Sequence, residues 1–450
     1  MKSLISRFFQ NKKKEKVVEV RIIPHFEHNI SRDNISENAV KVLYRLKKSG
    51  YQAYLVGGGV RDLLLGREPK DFDIATDAHP EDVKRAFRNC RLIGRRFRLA
   101  HVHFGQEIIE VATFRSMQGA VKTGDRQTEN GMLVRDNVYG TIEEDALRRD
   151  FTINALYYSI EDFSVIDYAD GLNDLEEGVL RLLGDPETRF REDPVRMLRA
   201  VRFAAKLGFN IDPLCEEQLS EIGDLLQSVP AARLFEEVLK LFISGVALRS
   251  FEKLRHYGLF GELFPDTEEC LAHEEHAFPI TFVVHGMKNT DTRIREGKSV
   301  TPAFLFAVLL WEPVRLFANE LRARGEPLLS SMQQAGNEVL MEQLQHVSIP
   351  KRFSLPMREI WNLQHRFEQR LGKRPHRLLA HPKFRAAYDF LCLRAESGET
   401  DIELAEWWTR FQEVSGEARD AMANSFKGTG NGKKCRRRRR KPRTRPIDSN

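Results

Sequence analysis

Between Asn34 and Gly50 the apolar residues Ile35, Ala39, Val42, Leu43 and Leu46 recur at three- and four-residue spacing. That period predicts a helix closed by Gly50. The period then shortens. Tyr54, Leu55 and Val56 predict a strand, Gly57, Gly58 and Gly59 a turn into a short helix, and Asp71–Thr76 a second strand. Side chains alternate along a strand, so Asp71 and Asp73 are expected on one face and Phe72 and Ile74 on the other. The stretch 79–90 predicts a helix with Val83, Ala86 and Phe87 facing the core.

Residues 99–104 and 107–114 predict a hairpin about Gly105-Gln106, with Ile108, Glu110, Ala112 and Phe114 sharing one face. Residues 117–140 read as a glycine- and charge-rich surface loop, and 143–158 as a helix. A short strand at 164–168 and an Asp170-Gly171 turn follow. Beyond about Asp174 only helical patterns remain, at roughly 192–208, 214–227, 231–243, 250–260, 302–323, 327–346, 354–371, 376–396 and 401–423. Strands first and helices afterwards predict an α+β fold. The expected head has a small mixed β-sheet and flanking helices, followed by an all-α remainder.

Composition adds an asymmetry. The 450 residues carry a net charge of +6, yet residues 433–445 hold ten Lys/Arg and no acid, and without them the charge falls to −4. A basic tail with nothing apolar to bury is expected to be disordered and to attract a polyanion. The five cysteines (Cys90, Cys215, Cys270, Cys392 and Cys435) show no paired spacing, which argues against a zinc site or disulfide framework and fits a cytoplasmic protein. No apolar run approaches the ~20 residues of a membrane span, and the first residues lack a signal-peptide pattern.

Three blocks carry chemistry. In the first, Asp71 and Asp73 lie beside a glycine turn and Arg61, a setting for Mg²⁺ and phosphates; an isolated Asp-x-Asp would be an ordinary surface turn. Glu110, acidic among apolar residues on a strand, needs a partner or a cation. His101 and His103 share a face and read as ordinary polar contacts. In the second block, 148–158, a helix would place Asp150 and Asn154 on one face with Arg149 beside them, suited to a phosphate and a sugar. In the third, 191–206, a helix at ~100° per residue gathers Arg196, Arg199, Arg202 and Lys206 into a basic arc interrupted by Phe203, with Asp193 able to brace Arg196. Farther on, Lys351, Arg352, Arg366, Arg370, Lys373, Arg374, Arg377, Lys383 and Arg385 interleave with Trp361, Phe367 and Phe384. That pattern serves either single-stranded RNA or an ordinary helix surface over core aromatics.

The segments GGGVRD, DFD, IIEVATFR, RRDFTINALYY and REDPVRMLRAVRFAAKLGF, in this order, resemble the class II branch of the polymerase-β-like nucleotidyltransferases. That branch holds the tRNA CCA-adding enzymes and the bacterial poly(A) polymerases. The match is dense over residues 50–210, and CRLIGRRFRLAHVHFG, PAFLFAVLLW, HPKFRAAYDFL and the arginine-rich tail resemble the poly(A) polymerases. The resemblance implies that Asp71 and Asp73 hold catalytic Mg²⁺, with Glu110 as a third carboxylate. It implies that Gly58 and Arg61 meet the triphosphate, Arg149 and Asn154 the nucleotide, and that Asp150 is catalytic. Asp193 with Arg196 would face the incoming base, and Arg199 and Arg202 would line the same pocket.

The implied activity is template-independent addition of AMP from ATP to RNA 3′ ends (mRNA and other RNAs), with release of pyrophosphate. RNA-decay proteins are implied partners; the oligomeric state is left open. The alternatives are a tRNA CCA-adding enzyme and a non-catalytic RNA-binding protein on an inactive head. The expected organisation is a charged extension at 1–33, a catalytic head at 34–170, a helical neck at 171–230, a helical RNA-binding body at 231–423 and a disordered tail at 424–450.

Overall fold

A computed structural model describes residues 19–94, 98–116, 126–129, 132–136, 138–277 and 282–425. The expectations for residues 1–18, 117–125 and the arginine-rich segment 426–450 lie outside these residues.

The head is built on ten strands: β1 (Arg21–Ile23), β2 (Ala53–Val56), β3 (Asp73–Thr76), β4 (Cys90–Ile93), β5 (Leu99–Phe104), β6 (Glu107–Thr113), β7 (Arg126–Glu129), β8 (Met132–Asp136), β9 (Leu156–Ser159) and β10 (Val165–Asp167). Eight of them form one sheet in the order β1-β10-β9-β2-β3-β6-β5-β4, and β7 and β8 form a separate hairpin. Only β3 and β6 run parallel within the large sheet, with Asp73 opposite Glu110. The predicted hairpin is β5–β6, its turn made possible by Gly105 at φ +63°.

One sheet face is closed by α1 (Glu37–Lys48), α2 (Gly58–Leu64) and α3 (Pro80–Ala86), which bury Leu43, Leu46, Val60 and Val83 against Leu55, Ile74, Ile109 and Val111. The other face carries a smaller apolar cluster of Val56, Ala75, Phe114, Ala155 and Tyr157, closed by Ala146 of α4 (Ile142–Arg148). The alternation read from the sequence therefore holds. Glu110 lies on the half-open face of β6, while Ile109, Val111 and Thr113 are buried on the other.

Several expectations are corrected. Part of the lead-in, Arg21–Ile23, pairs with β10 as an edge strand; three residues are too short a run to register as a period. The loop expected at 117–140 contains β7 and β8, which flank the sequence Asn130-Gly131, a dipeptide favoured in two-residue hairpin turns. The helix expected at 143–158 stops at Arg148, where Arg149 adopts φ −59° and ψ 169°. Leu156–Ser159 is instead a strand between β10 and β2 with all four residues buried, and a strand buried on both faces loses its alternation. Asp71 precedes β3 and does not lie within it.

Beyond the sheet come α5 (Gly171–Glu177), α6 (Pro186–Glu192), α7 (Val195–Leu207), α8 (Pro213–Glu221) and α9 (Ala231–Phe242). A further series of helices ends at Ser425. Among the described residues the one exception to the helical reading is a short parallel pair, Val179–Leu180 with Asn210–Ile211. Helices Pro265–Ala277 and Phe282–Arg295 were not anticipated. Trp361, Phe367 and Phe384 are 1%, 0% and 5% exposed, so these aromatics are core and not stacking platforms. Among the described residues no helix is long and apolar enough to cross a membrane.

Candidate active site

The glycine turn sets the site's geometry. Gly57 adopts φ +74°, a conformation that disfavours a side chain, and a Cβ there would stand 3.4 Å from Nη1 of Arg149. The same Cβ would be 4.0 Å from the carbonyl oxygen of Asn154, so Gly57 is where the first two sequence blocks meet. At Gly59 a Cβ would lie 3.5 Å from the carbonyl oxygen of Asp71, and this close packing fixes the segment leading into β3.

Asp73 is flanked by Val56 on β2 and Glu110 on β6. Burial pushes its carboxyl up to about 6, reinforced by the negative charges of Glu110 and Asp71 and partly opposed by Arg149 and His101. Glu110 contacts Nε2 of His101, its cross-strand neighbour, at 3.2 Å, the ordinary polar contact anticipated for that histidine. Crowded carboxylates of one sign are a donor set that suits a divalent cation. Among the described residues no three His, Cys, Asp or Glu side chains form a closed metal cage. An ion held by two carboxylates and completed by phosphate oxygens matches that arrangement.

A pH dependence follows. The raised value means that the native protein without metal holds a proton at Asp73 more tightly than the unfolded chain. That contribution to stability is complete below about pH 4 and is lost as pH rises through about 6. Mg²⁺ competes with that proton, so it should raise the melting temperature more at about pH 8 than at about pH 5. Differential scanning fluorimetry checks this, and Asp73→Asn should flatten the difference. An equal shift at both pH values in the wild-type chain would contradict the metal assignment.

Arg149 is held by groups that the sequence reading missed. Its Nε donates to the Tyr157 hydroxyl at 3.0 Å and its Nη2 to Asp145 at 3.0 Å, while Tyr157 donates to the same Asp145 oxygen at 2.7 Å. The i,i+4 spacing of Asp145 and Arg149 was a usable signal; Tyr157, on β9, gave none. Arg189 of α6 donates to the carbonyls of Arg148 and Arg149 at 2.6 and 2.8 Å, satisfying the open end of α4.

The second and third blocks form one continuous network. Arg61 is 2% exposed; its Nη1 donates to Asn154 at 2.7 Å, and its Nε and Nη2 donate to Asp62. Asn154 donates to Asp150 at 3.1 Å, as does the Phe151 amide at 2.9 Å. Nε of Arg199 reaches the other Asp150 oxygen at 2.8 Å, and Nη2 joins it there. Burial alone would raise the Asp150 pKa, but the Arg199 charge and these hydrogen bonds hold it well below the usual carboxylate range. The Asp150–Asn154 pairing is thus present, made by a 3₁₀ turn at Thr152–Asn154 and not by a helix face. Phe203, read as an interruption, sits beneath the guanidiniums of Arg61, Arg199 and Arg202 at 5.2, 5.3 and 4.5 Å from its ring centre.

The expected Asp193–Arg196 brace is not formed. Asp193 lies at the end of α6, outside α7, and is gripped through both oxygens by Arg233 of α9, at 2.8 Å each. Arg196 turns to the Arg189 carbonyl at 2.6 Å and Glu192 at 3.1 Å. Two acids compete for Arg196 on its own segment, whereas the Asp193 partner is 40 residues away and invisible to local spacing. Arg202 lies 3.8 Å from Glu237 on the same α9. The structure therefore brings Asp71, Asp73, Glu110 and Arg149 to one sheet face. Arg61, Asn154, Asp150, Arg199 and Arg202 form the adjoining wall, and Asp193 is anchored separately by the helix beyond.

The fold matches a solved "tRNA-processing enzyme (apo form I)", with TM-score 0.57 and 25% identity over 88% of this chain and 99% of that one. Residues 53–181 match the family model "Poly A polymerase head domain". Carboxylates at the mouth of a glycine turn on this fold define a nucleotidyltransferase. Residues 208–271 match "Probable RNA and SrmB- binding site of polymerase A", and residues 324–445 match "Polymerase A arginine-rich C-terminus". Poly(A) polymerase I of Salmonella typhi is 51% identical over 94% of this chain and 92% of its own length. That of Haemophilus influenzae is 46% identical over 89% of this chain and 90% of its own. The chain belongs to the bacterial poly(A) polymerase I family.

Proposed function

We infer that this chain is a polynucleotide adenylyltransferase that adds AMP from ATP to RNA 3′ ends without a template. The observation that carries the reading is the group of mutually repelling carboxylates around Asp73, placed at the glycine turn of a chain that aligns with poly(A) polymerases over nearly its whole length. In the reaction the RNA 3′-hydroxyl loses its proton to solvent as its oxygen bonds to the α-phosphorus, the bond from that phosphorus to the bridging oxygen breaks, and pyrophosphate leaves in line.

Asp71 and Asp73 are proposed to hold Mg²⁺, with Glu110 beside them. A divalent ion there supplies charge neutralisation at the attacking and leaving oxygens. The backbone at Gly58 approaches the phosphates, and Arg149, oriented by Asp145 and Tyr157, offers its remaining donors to them. Arg61, Asn154 and Asp150 position this wall through shared hydrogen bonds. Asp193, fixed by Arg233, accepts from the adenine 6-amino group through its remaining lone pairs, and Arg196 donates to ring nitrogens. Arg199 and Arg202 shape the pocket against Phe203. Catalysis is then largely positioning and charge stabilisation.

The proposed organisation keeps a head at 34–170 extended by β1, a neck at 171–230, a body at 231–423 and the arginine-rich tail from 424. A cytoplasmic setting rests on scattered thiols; among the described residues Cys90, Cys215, Cys270 and Cys392 form no disulfide. RNA-decay proteins are proposed partners on the strength of the reaction alone.

The test supplies Mg²⁺, an unstructured RNA primer and one nucleoside triphosphate at a time, then repeats with tRNA lacking its 3′ end. Long ladders with ATP alone are expected on the primer. Incorporation of CTP on the tRNA, halting after a short fixed addition, would instead identify a CCA-adding enzyme.

A further inference from the structure

A cleft of about 470 Å³ lies wholly in the helical body, far along the chain from the residues of the catalytic head. We propose that it is a second nucleotide subsite, holding one unit of the RNA strand upstream of the 3′ end that reacts in the head. This rests on the RNA-extending reading above and adds a location to it.

The volume fits a nucleotide. One wall is apolar, made by Phe304, Phe353, Pro356 and Ile360, which suits a base. The rim carries Arg293, Arg352, Lys383 and Arg385 against a single acid, Asp389. Asp389 is engaged by Arg385 at 3.0 Å and Arg293 at 3.6 Å. Among the described residues Arg352 and Lys383 have no acidic partner, and Arg352 lies over the Phe353 ring at 4.7 Å from its centre. Three helices, Pro302–Leu309, Lys351–Gln364 and Phe384–Glu396, also begin at this rim, so their amide ends add to the positive potential of the cations.

The cleft is mechanically joined to the nucleotide wall. Phe353 stacks on Phe235 with ring centres 5.9 Å apart, and Phe235 lies on α9, two residues from the Arg233 that grips Asp193. A backbone bond from the Ser348 amide to the Ala231 carbonyl fixes the same junction. A strand whose 3′ end lies at Asp71 and Asp73 and whose upstream unit lies in this cleft would therefore be held on both sides of that junction. One phosphate-bearing ligand chemistry has two sources here, an RNA strand or free ATP, and the experiment separates them.

The double variant Arg352→Glu/Lys383→Glu changes two rim side chains outside the catalytic machinery, and the milder Lys383→Gln controls for misfolding. Steady-state extension is measured with a trinucleotide and with an unstructured primer of about 20 nucleotides, and ATP binding is measured by calorimetry. The double variant is expected to raise KM for the long primer about tenfold, and the loss of two phosphate contacts should reduce the salt slope by about 1.4. Lys383→Gln should do the same in smaller measure, with KM for ATP and extension of the trinucleotide unchanged. Equal KM values for the long primer would overturn the proposal, as would loss of a second ATP-binding event with RNA kinetics unchanged. A wild-type chain that extends neither primer would sink the adenylyltransferase reading itself; normal wild-type extension with an indifferent variant would sink only the subsite.

Discussion

Asp73→Ala is expected to abolish AMP incorporation on every primer, with kcat reduced by about 10³-fold or more, while RNA affinity stays within the wild-type range. Asp71→Ala should behave alike. The reason is local. Asp73 stands between Val56 and Glu110 in the middle of the sheet, and its carboxyl is pushed up to about 6 by burial and by acidic neighbours. The fold bears the cost of keeping those negative charges together, and a divalent cation held by Asp71 and Asp73 would relieve it. Removing one carboxylate would remove a ligand for that ion and relieve the repulsion as well. The variant should therefore be no less stable than the wild type, and a melting curve taken beside the kinetics separates lost chemistry from lost fold. Extension at near wild-type rate by either alanine variant would refute the metal assignment.

Asp150→Ala is expected to have the second largest effect, and of a different kind. Asp150 accepts from Arg199, Asn154 and the Phe151 amide, and joins the head to the neck helix α7. Removing the acid of a buried pair costs about 3–5 kcal/mol; the Arg199 side chain keeps 33% exposure, so about 2–3 kcal/mol is expected here. Its depressed folded pKa means that this stabilisation is present above about pH 4 and is lost as pH falls below it, so wild type and variant should converge in acid. Arg199 would lose its anchor, and Asn154, which accepts from Arg61, would lose its own partner, so KM for ATP should rise more than kcat falls. Denaturant melts at several pH values and steady-state kinetics check both parts. Unchanged stability and KM with kcat lost would mean that Asp150 acts on the reacting atoms directly, as the family resemblance implies.

Much of the site was legible because its residues lie close together in sequence. Asp71, Asp73 and the glycine turn are read from a strand-turn-helix pattern, and Glu110 from an acid placed on an apolar face. What escaped was long-range. Leu156–Ser159 looked helical because a strand buried on both sides shows no alternation. Asp193 was given the wrong partner because Arg233 is far away in the chain, and Phe203 became a shared platform only once α7 packed against Arg61. The basic and aromatic residues of the body separate in the same way. Periodicity cannot tell a stacking aromatic from a core one, and Trp361, Phe367 and Phe384 prove to be core. The cations around them stay at the surface, where Arg352 and Lys383 face a cleft that no motif announces.

Selection of ATP and repeated addition of AMP to RNA by this one chain can be read from the intact mass of an unstructured primer after incubation with the wild-type chain, Mg²⁺ and an equimolar mixture of all four nucleoside triphosphates. The expected result is a series of products separated by single AMP residues and extending well beyond the primer. Products that carry cytidylate, or that stop after a fixed short addition, would contradict it.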